Sequence, residues 1–134
     1  MASKILIADD DPDLRTIVHD FLETYGFEIV LAVNGQEALA LAAQERPDII
    51  LLDMSMPILN GWEVARRLRQ DPMLRSTPIL AFTAHALKGD KEKTLEAGCD
   101  GYVSKPFSPD NLLAEINRLL AERSLRHMPP AANG

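Results

Sequence analysis

The sequence predicts an α/β domain in which a five-stranded parallel sheet is doubly wound, with helices on both faces. Short apolar runs of strand length alternate along the chain with longer segments whose apolar residues recur at helical spacing. One run, Asp48-Ile49-Ile50-Leu51-Leu52-Asp53, is solidly apolar between acids, the pattern of a strand covered on both faces. The connections between the runs are short, and successive strand-helix-strand units of that kind wind in one direction and leave their strands parallel.

Lys4-Ile5-Leu6-Ile7-Ala8 reads as a buried first strand, followed by a helix with Leu14, Ile17, Val18, Phe21, Leu22 and Tyr25 on its apolar stripe. Asp11 is placed to cap that helix, with Pro12 at the first position, where a missing N–H costs nothing. Gly26 closes it, and Phe27-Glu28-Ile29-Val30-Leu31 is the second strand. Asn34 with Glu37 three residues on resembles a capping box, opening a helix with Ala38, Leu39, Leu41 and Ala42 that stops near Pro47. The Asp48 to Asp53 run is then the third strand and the centre of the sheet.

Asn60 and Glu63 repeat the cap signature before a helix with Val64, Ala65 and Leu68, which Asp71-Pro72 ends. Pro78-Ile79-Leu80-Ala81-Phe82-Thr83 is the fourth strand, and a helix from about His85 to Ala97 follows, terminated by Gly98. Gly101-Tyr102-Val103-Ser104 is a short fifth strand. The last helix starts at Ser108-Pro109 and buries Leu112, Leu113, Ile116, Leu119 and Leu120. The domain is expected over residues 1–123. Residues 124–134, with Pro129-Pro130 and small residues, read as a disordered tail.

Composition narrows the function classes. The chain has 134 residues, 14 Lys+Arg against 20 Asp+Glu and a net charge of −6, with no basic run, so direct nucleic-acid binding is not expected. Cys99 is the one cysteine, which rules out an intrachain disulfide and leaves a cysteine zinc site without partners. The longest uninterrupted apolar run, Ala38 to Ala43, falls far short of the roughly 20 residues that cross a bilayer. No signal-peptide core follows Met1, so a reducing, cytoplasmic setting without membrane insertion is expected. Cys99 reads as a small buried residue, His19 as exposed and Trp62 as packing that could report on the site by fluorescence.

In an open α/β sheet, ligands bind beyond the carboxyl ends of the strands. Strand one ends in Asp9-Asp10-Asp11, strand three in Asp53 and strand four in Thr83, while strand five runs into Lys105-Pro106. Two carboxylates about 5 Å apart repel by roughly 3 kcal/mol at an effective dielectric of about 20, so a converging set calls for a cation. Hard carboxylate oxygens with room for water suit Mg²⁺. Lys105 supplies a further positive charge and Thr83 a hydroxyl, and together they can hold phosphoryl oxygens beside Asp53, itself a possible acceptor. Asp11 and Asp13 read as capping and solvated loop acids.

These residues carry a resemblance. Asp9-Asp10, Asp53 with Met56-Pro57 and Gly61, Thr83-Ala84, and Lys105-Pro106-Phe107 resemble, in order and spacing, the receiver domain of bacterial two-component response regulators. The resemblance covers about residues 3–122. It implies the flavodoxin-like strand order 2-1-3-4-5, with Asp53 as phosphoacceptor from a phosphohistidine donor, either a histidine kinase or a histidine phosphotransfer protein. It implies Asp10 and Asp53 as direct Mg²⁺ ligands, Asp9 acting through metal-bound water, and the Ser55 carbonyl completing the set. Thr83 and Lys105 resemble the residues that bind the phosphoryl oxygens. Thr83 and Tyr102 form the implied switch, read out to a downstream protein on the face of helix four, strand five and helix five.

Ser55 and His85 stand where the family tunes loss of the phosphoryl group, and the Lys105-Pro106 bond is expected to be cis. Beyond its own phosphorylation and dephosphorylation, such a domain is not an enzyme. Residues 84–90 and 97–100 look more like DivK-type stand-alone receivers and receivers of hybrid kinases than like the chemotaxis regulator CheY. The length holds a receiver and little else, so signalling by docking is expected. The alternatives are a degenerate receiver acting as a phosphate-independent interaction module, a haloacid-dehalogenase-type phosphatase suggested by Asp9-x-Asp11, and a flavodoxin-like cofactor module. The acidic loop after strand one argues against the last, because it would repel a phosphate lacking a metal.

Overall fold

A computed structural model describes residues 3–56, 59–83, 88–105 and 108–126, with the side chains of 88–91 and 124–126 left aside. The chain runs β1 (Lys4–Ala8), α1 (Pro12–Glu23), β2 (Glu28–Ala32), α2 (Gly35–Glu45), β3 (Ile49–Asp53), α3 (Gly61–Gln70), β4 (Ile79–Thr83), α4 (Lys88–Glu96), β5 (Gly101–Ser104) and α5 (Pro109–Arg126). The strands form one sheet in the order β2-β1-β3-β4-β5, and every pairing is parallel. This is the predicted doubly wound architecture.

Strand periodicity divides the core into two layers. Ile5, Ile7, Ile49, Leu51, Leu80, Phe82 and Val103 point to one face, under Val18 and Leu22 of α1 and Leu112, Ile116 and Leu119 of α5. Leu6, Ala8, Ile50, Leu52, Ile79 and Ala81 point to the other, under Ala38 and Ala42 of α2 and Val64, Ala65 and Leu68 of α3. All five β3 residues are buried, as its apolar run requires of a central strand.

The helix starts follow their capping chemistry. Asp11 accepts hydrogen bonds from the Asp13 and Leu14 amides at the head of α1, with Pro12 in the first turn. Asn34 accepts from the Glu37 amide at 2.8 Å and Asn60 from the Glu63 amide at 3.0 Å. The box at α2 is offset by one residue, because the Glu37 carboxylate accepts from the Val33 amide, not from that of Asn34. Gly98 ends the α4 segment at φ +109°, where the Cys99 N–H turns back to the Thr94 carbonyl.

Several boundaries and faces differ from the sequence reading. β2 begins at Glu28, one residue later, because the Glu28 amide opens the ladder on the Ser3 carbonyl. On α1, Ile17 is 63% exposed and Tyr25, beyond the helix end, 54% exposed. Val18 and Leu22 take the buried line, and Ile17 lies about 100° round the helix from Val18. α5 continues to Arg126, so residues 124–126, read as the start of the tail, are helical, while 127–134 lie outside the described residues. His85, in the expected first turn of α4, also lies outside them.

Candidate functional site

The carboxyl ends of β1, β3, β4 and β5 meet on one rim because parallel pairing puts all four strands in the same sense. Asp9 follows the last residue of β1, and its amide extends the ladder to the Ala32 carbonyl. Asp53 closes β3 in register with Phe82, and Thr83 closes β4 in register with Ser104. The Lys105 amide donates to the Thr83 carbonyl at 2.7 Å, so the lysine leaves β5 directly over the rim.

Carboxylate oxygens of Asp9, Asp10 and Asp53 lie within 4.8 Å of one another. Asp9 and Asp53 are buried, at 1% and 3% exposure, whereas Asp10 is exposed. Lys105 Nζ reaches in to 3.0 Å from Asp9 Oδ2 and 3.7 Å from Asp53 Oδ2. The remaining oxygens are held by the backbone: the Asp11 amide donates to Asp9 Oδ1 at 2.9 Å, and the Ser55 amide to Asp53 Oδ1 at 3.0 Å.

Burial pushes the Asp53 carboxyl up to about 6, and the negative charges of Asp9 and Asp10 add to that rise. The Ser55 N–H and the Lys105 ammonium pull against it. Removing a carboxylate from water disfavours its charged form, and neighbours of like sign disfavour it further. The pocket therefore holds more negative charge than one ammonium compensates, and its hard oxygen donors fit a small divalent cation such as Mg²⁺.

Close approach at this rim also depends on a glycine. A Cβ at Gly61 would stand 2.7 Å from the Asp53 carbonyl oxygen and 2.6 Å from Met54 Cα. Only a residue without one lets the head of α3 seat against the exit of β3, where the Gly61 amide donates to the Met54 carbonyl.

The structure thus brings together Asp9, Asp10, Asp53 and Lys105, with Ser55 entering through its amide and Thr83 flanking them, 3% exposed, at the end of β4. Tyr102 is half-buried on β5, and its hydroxyl accepts a hydrogen bond from Ser104 Oγ at 3.2 Å. His85, Pro57, Pro106 with its expected cis bond, and Phe107 lie outside the described residues. Two contacts escaped the sequence reading: the Ser104 hydroxyl on Tyr102, and Arg15, whose Nη1 donates to the Asp9 carbonyl at 2.7 Å. Arg15 did carry a signal, since a cation near a helix N-terminus runs against the helix dipole and asks for a local reason.

Comparison with known proteins agrees with this geometry. The family model for the response regulator receiver domain matches residues 5–117. The polar-differentiation response regulator DivK of Brucella anthropi is 38% identical over 122 residues, 91% of this chain and 99% of its own length. The fold is similar to that of Vibrio cholerae chemotaxis protein CheY4, with a TM-score of 0.85 and 34% identity over 89% of this chain and 99% of that one. It is similar also to the receiver domain of a Pseudomonas aeruginosa sensor histidine kinase, solved with a magnesium ion coordinated in its active-site cleft. That match has a TM-score of 0.84 and 34% identity, over 90% of this chain and 99% of that one. With its strand order, its acidic rim and a family match over most of its length, the chain belongs to the response regulator receiver domains of two-component signalling.

Proposed function

We propose that this receiver accepts a phosphoryl group on Asp53 from a phosphohistidine donor, a histidine kinase or a histidine phosphotransfer protein, in a Mg²⁺-dependent reaction. The observation that carries the reading is the convergence of the Asp9, Asp10 and Asp53 carboxylates, within 4.8 Å of one another, with the Lys105 ammonium on the same oxygens. Neither helix capping nor stability calls for that arrangement, because buried like charges cost the fold free energy.

Asp10, Asp53 and the Ser55 carbonyl would hold the metal, with Asp9 acting through its bound water. When bound, the ion supplies charge neutralisation for the phosphoryl oxygens. An Asp53 carboxylate oxygen attacks phosphorus, the P–N bond to the donor histidine breaks, and its electron pair stays on the imidazole, which takes a proton. The product is an acyl phosphate that carries about 1.5–2 negative charges where the carboxylate carried one, and it adds three strong acceptor oxygens. Lys105, already in the pocket, pairs with one of its oxygens, and the Thr83 hydroxyl donates to another.

The covalent charge then biases a two-state equilibrium. Thr83 moves toward the phosphoryl group and Tyr102 follows into the space it leaves. The face of α4, β5 and α5 reads the change out to a downstream protein. Ser55 and His85 set how water reaches the acyl phosphate. Receiver domains are in general signalling modules, not enzymes, and the chemistry here is confined to the chain's own phosphorylation and dephosphorylation. No helix among the described residues is long and apolar enough to cross a membrane, and a cytoplasmic setting follows from the proposed donors.

Acetyl phosphate with Mg²⁺ tests the reading by intact-mass spectrometry. The expected result is a single hydroxylamine-labile phosphoryl adduct, lost in Asp53→Asn and in excess chelator. No adduct on the native chain with metal present would favour a degenerate, phosphate-independent receiver, and labelling that survives Asp53→Asn would overturn the site.

A further inference from the structure

We propose that Arg15 is a positioning residue for the acidic pocket: its guanidinium clamps the peptide that joins Asp9 to Asp10 and so fixes the aim of Asp10. The proposal rests on the Mg²⁺ reading of the pocket given above. Arg15 lies in the first turns of α1, with its backbone amide on the Asp11 carbonyl, and its side chain turns back along the helix to the rim. There Nη1 donates to the Asp9 carbonyl oxygen at 2.7 Å, in a half-buried contact six residues back along the chain.

The partner is unexpected on charge alone. Three carboxylates cluster at this corner, yet Arg15 forms no ion pair among the described residues, and its bond goes to a neutral backbone acceptor. The position also opposes the dipole of α1, which disfavours a cation at a helix N-terminus. The contact completes the restraint of Asp9. The Asp9 amide is held by the Ala32 carbonyl, its Oδ1 by the Asp11 amide, its Oδ2 by Lys105 and its carbonyl by Arg15. Asp10, by contrast, is exposed, so its direction depends on the peptide plane that precedes it. A carboxylate pre-aimed by that plane pays less ordering entropy when it meets a cation.

Charge and positioning give opposite signs. Removing a cation beside an acidic pocket strengthens divalent-cation binding if charge dominates, and weakens it if the clamp dominates. Groups that orient metal ligands typically change affinity 10–100-fold when lost, and for this half-buried contact we expect a rise in the Mg²⁺ Kd of about 10-fold in Arg15→Ala.

Calorimetric titration of MgCl2 into the full chain reads this directly. Arg15→Lys, which keeps the charge and one donor on a shorter reach, recovers part of the affinity. Backbone NMR order parameters in the metal-free protein supply a second readout: those of Asp10 and Asp11 fall in Arg15→Ala if the clamp holds the corner. An unchanged or tighter Kd, or order parameters equal to wild type, overturns the proposal. A wild-type chain that binds no Mg²⁺ overturns the reading beneath it, and the order parameters still decide whether Arg15 holds the corner.

Discussion

At the scale of single residues, Asp53 is a carboxylate whose environment opposes its charge. Its carboxyl rises from 3.8 to about 6 through burial and the neighbouring Asp9 and Asp10. Between those values the unfolded chain is ionised while the folded one still holds its proton. The resulting cost to the fold is absent below about pH 4 and complete above about pH 6, where it is on the order of 2–3 kcal/mol. Asp53→Asn removes that cost, so the metal-free variant should melt roughly 5–10 °C above wild type at pH 7. The gain should vanish toward pH 4, and Mg²⁺ should stabilise wild type more than the variant. Thermal denaturation across that range checks the sign, and a variant that melts lower than wild type at pH 7 would show that the pocket is not strained by its own charge. Cys99 is the small buried residue the sequence predicts: at 6% exposure, its thiol is pushed up to about 12 by desolvation, which keeps it protonated and inert at neutral pH.

Between elements, Arg69 does the most to tie the α3 end of the molecule together. From the last turn of α3 its guanidinium donates to the Gly98 carbonyl at 2.8 Å, the Thr77 carbonyl at 2.7 Å, the Arg75 carbonyl at 3.0 Å and Asp100 Oδ2 at 2.6 Å. The same Asp100 oxygen accepts from the Ile79 amide that opens β4. One planar donor fork thus joins α3, the loop into β4 and the turn between α4 and β5, a geometry that a lysine ammonium cannot reproduce. Arg69→Ala should cost about 2–3 kcal/mol, since it leaves a half-buried carboxylate and three carbonyls short of a partner. Arg69→Lys should recover only part of that. Urea denaturation measures both, and a loss below about 0.5 kcal/mol would reduce this cluster to an ordinary surface ion pair. A second tie runs between α3 and α4, where Trp62 donates from Nε1 to Thr94 Oγ1 at 3.3 Å and carries Lys93 Nζ 4.0 Å above its ring. The indole anticipated as packing therefore also sits where movement of α4 would alter its emission.

For the molecule as a whole, what could be read from the chain was what depends on local chemistry. Apolar runs located the five strands, Asn34 and Asn60 announced two helices, and the acids, threonine and lysine at strand ends converge because a parallel sheet gathers those ends on one rim. What escaped depends on packing across the sequence. Ile17 fits the apolar spacing of α1 but lies on its solvent side, since only the sheet decides which part of a wide stripe is covered. The Arg69 fork and the Arg15 clamp join residues whose proximity no periodicity encodes. The same convergence gives the whole chain its proposed activity, with Asp53 as the acceptor, and borohydride trapping tests that claim most directly. Reduction of the acyl phosphate converts the labelled aspartate to homoserine, and peptide mapping after acetyl phosphate treatment with Mg²⁺ reads its position. Homoserine at position 53 alone is the predicted result; homoserine at another aspartate, or at none on a fully folded chain with metal present, would contradict it.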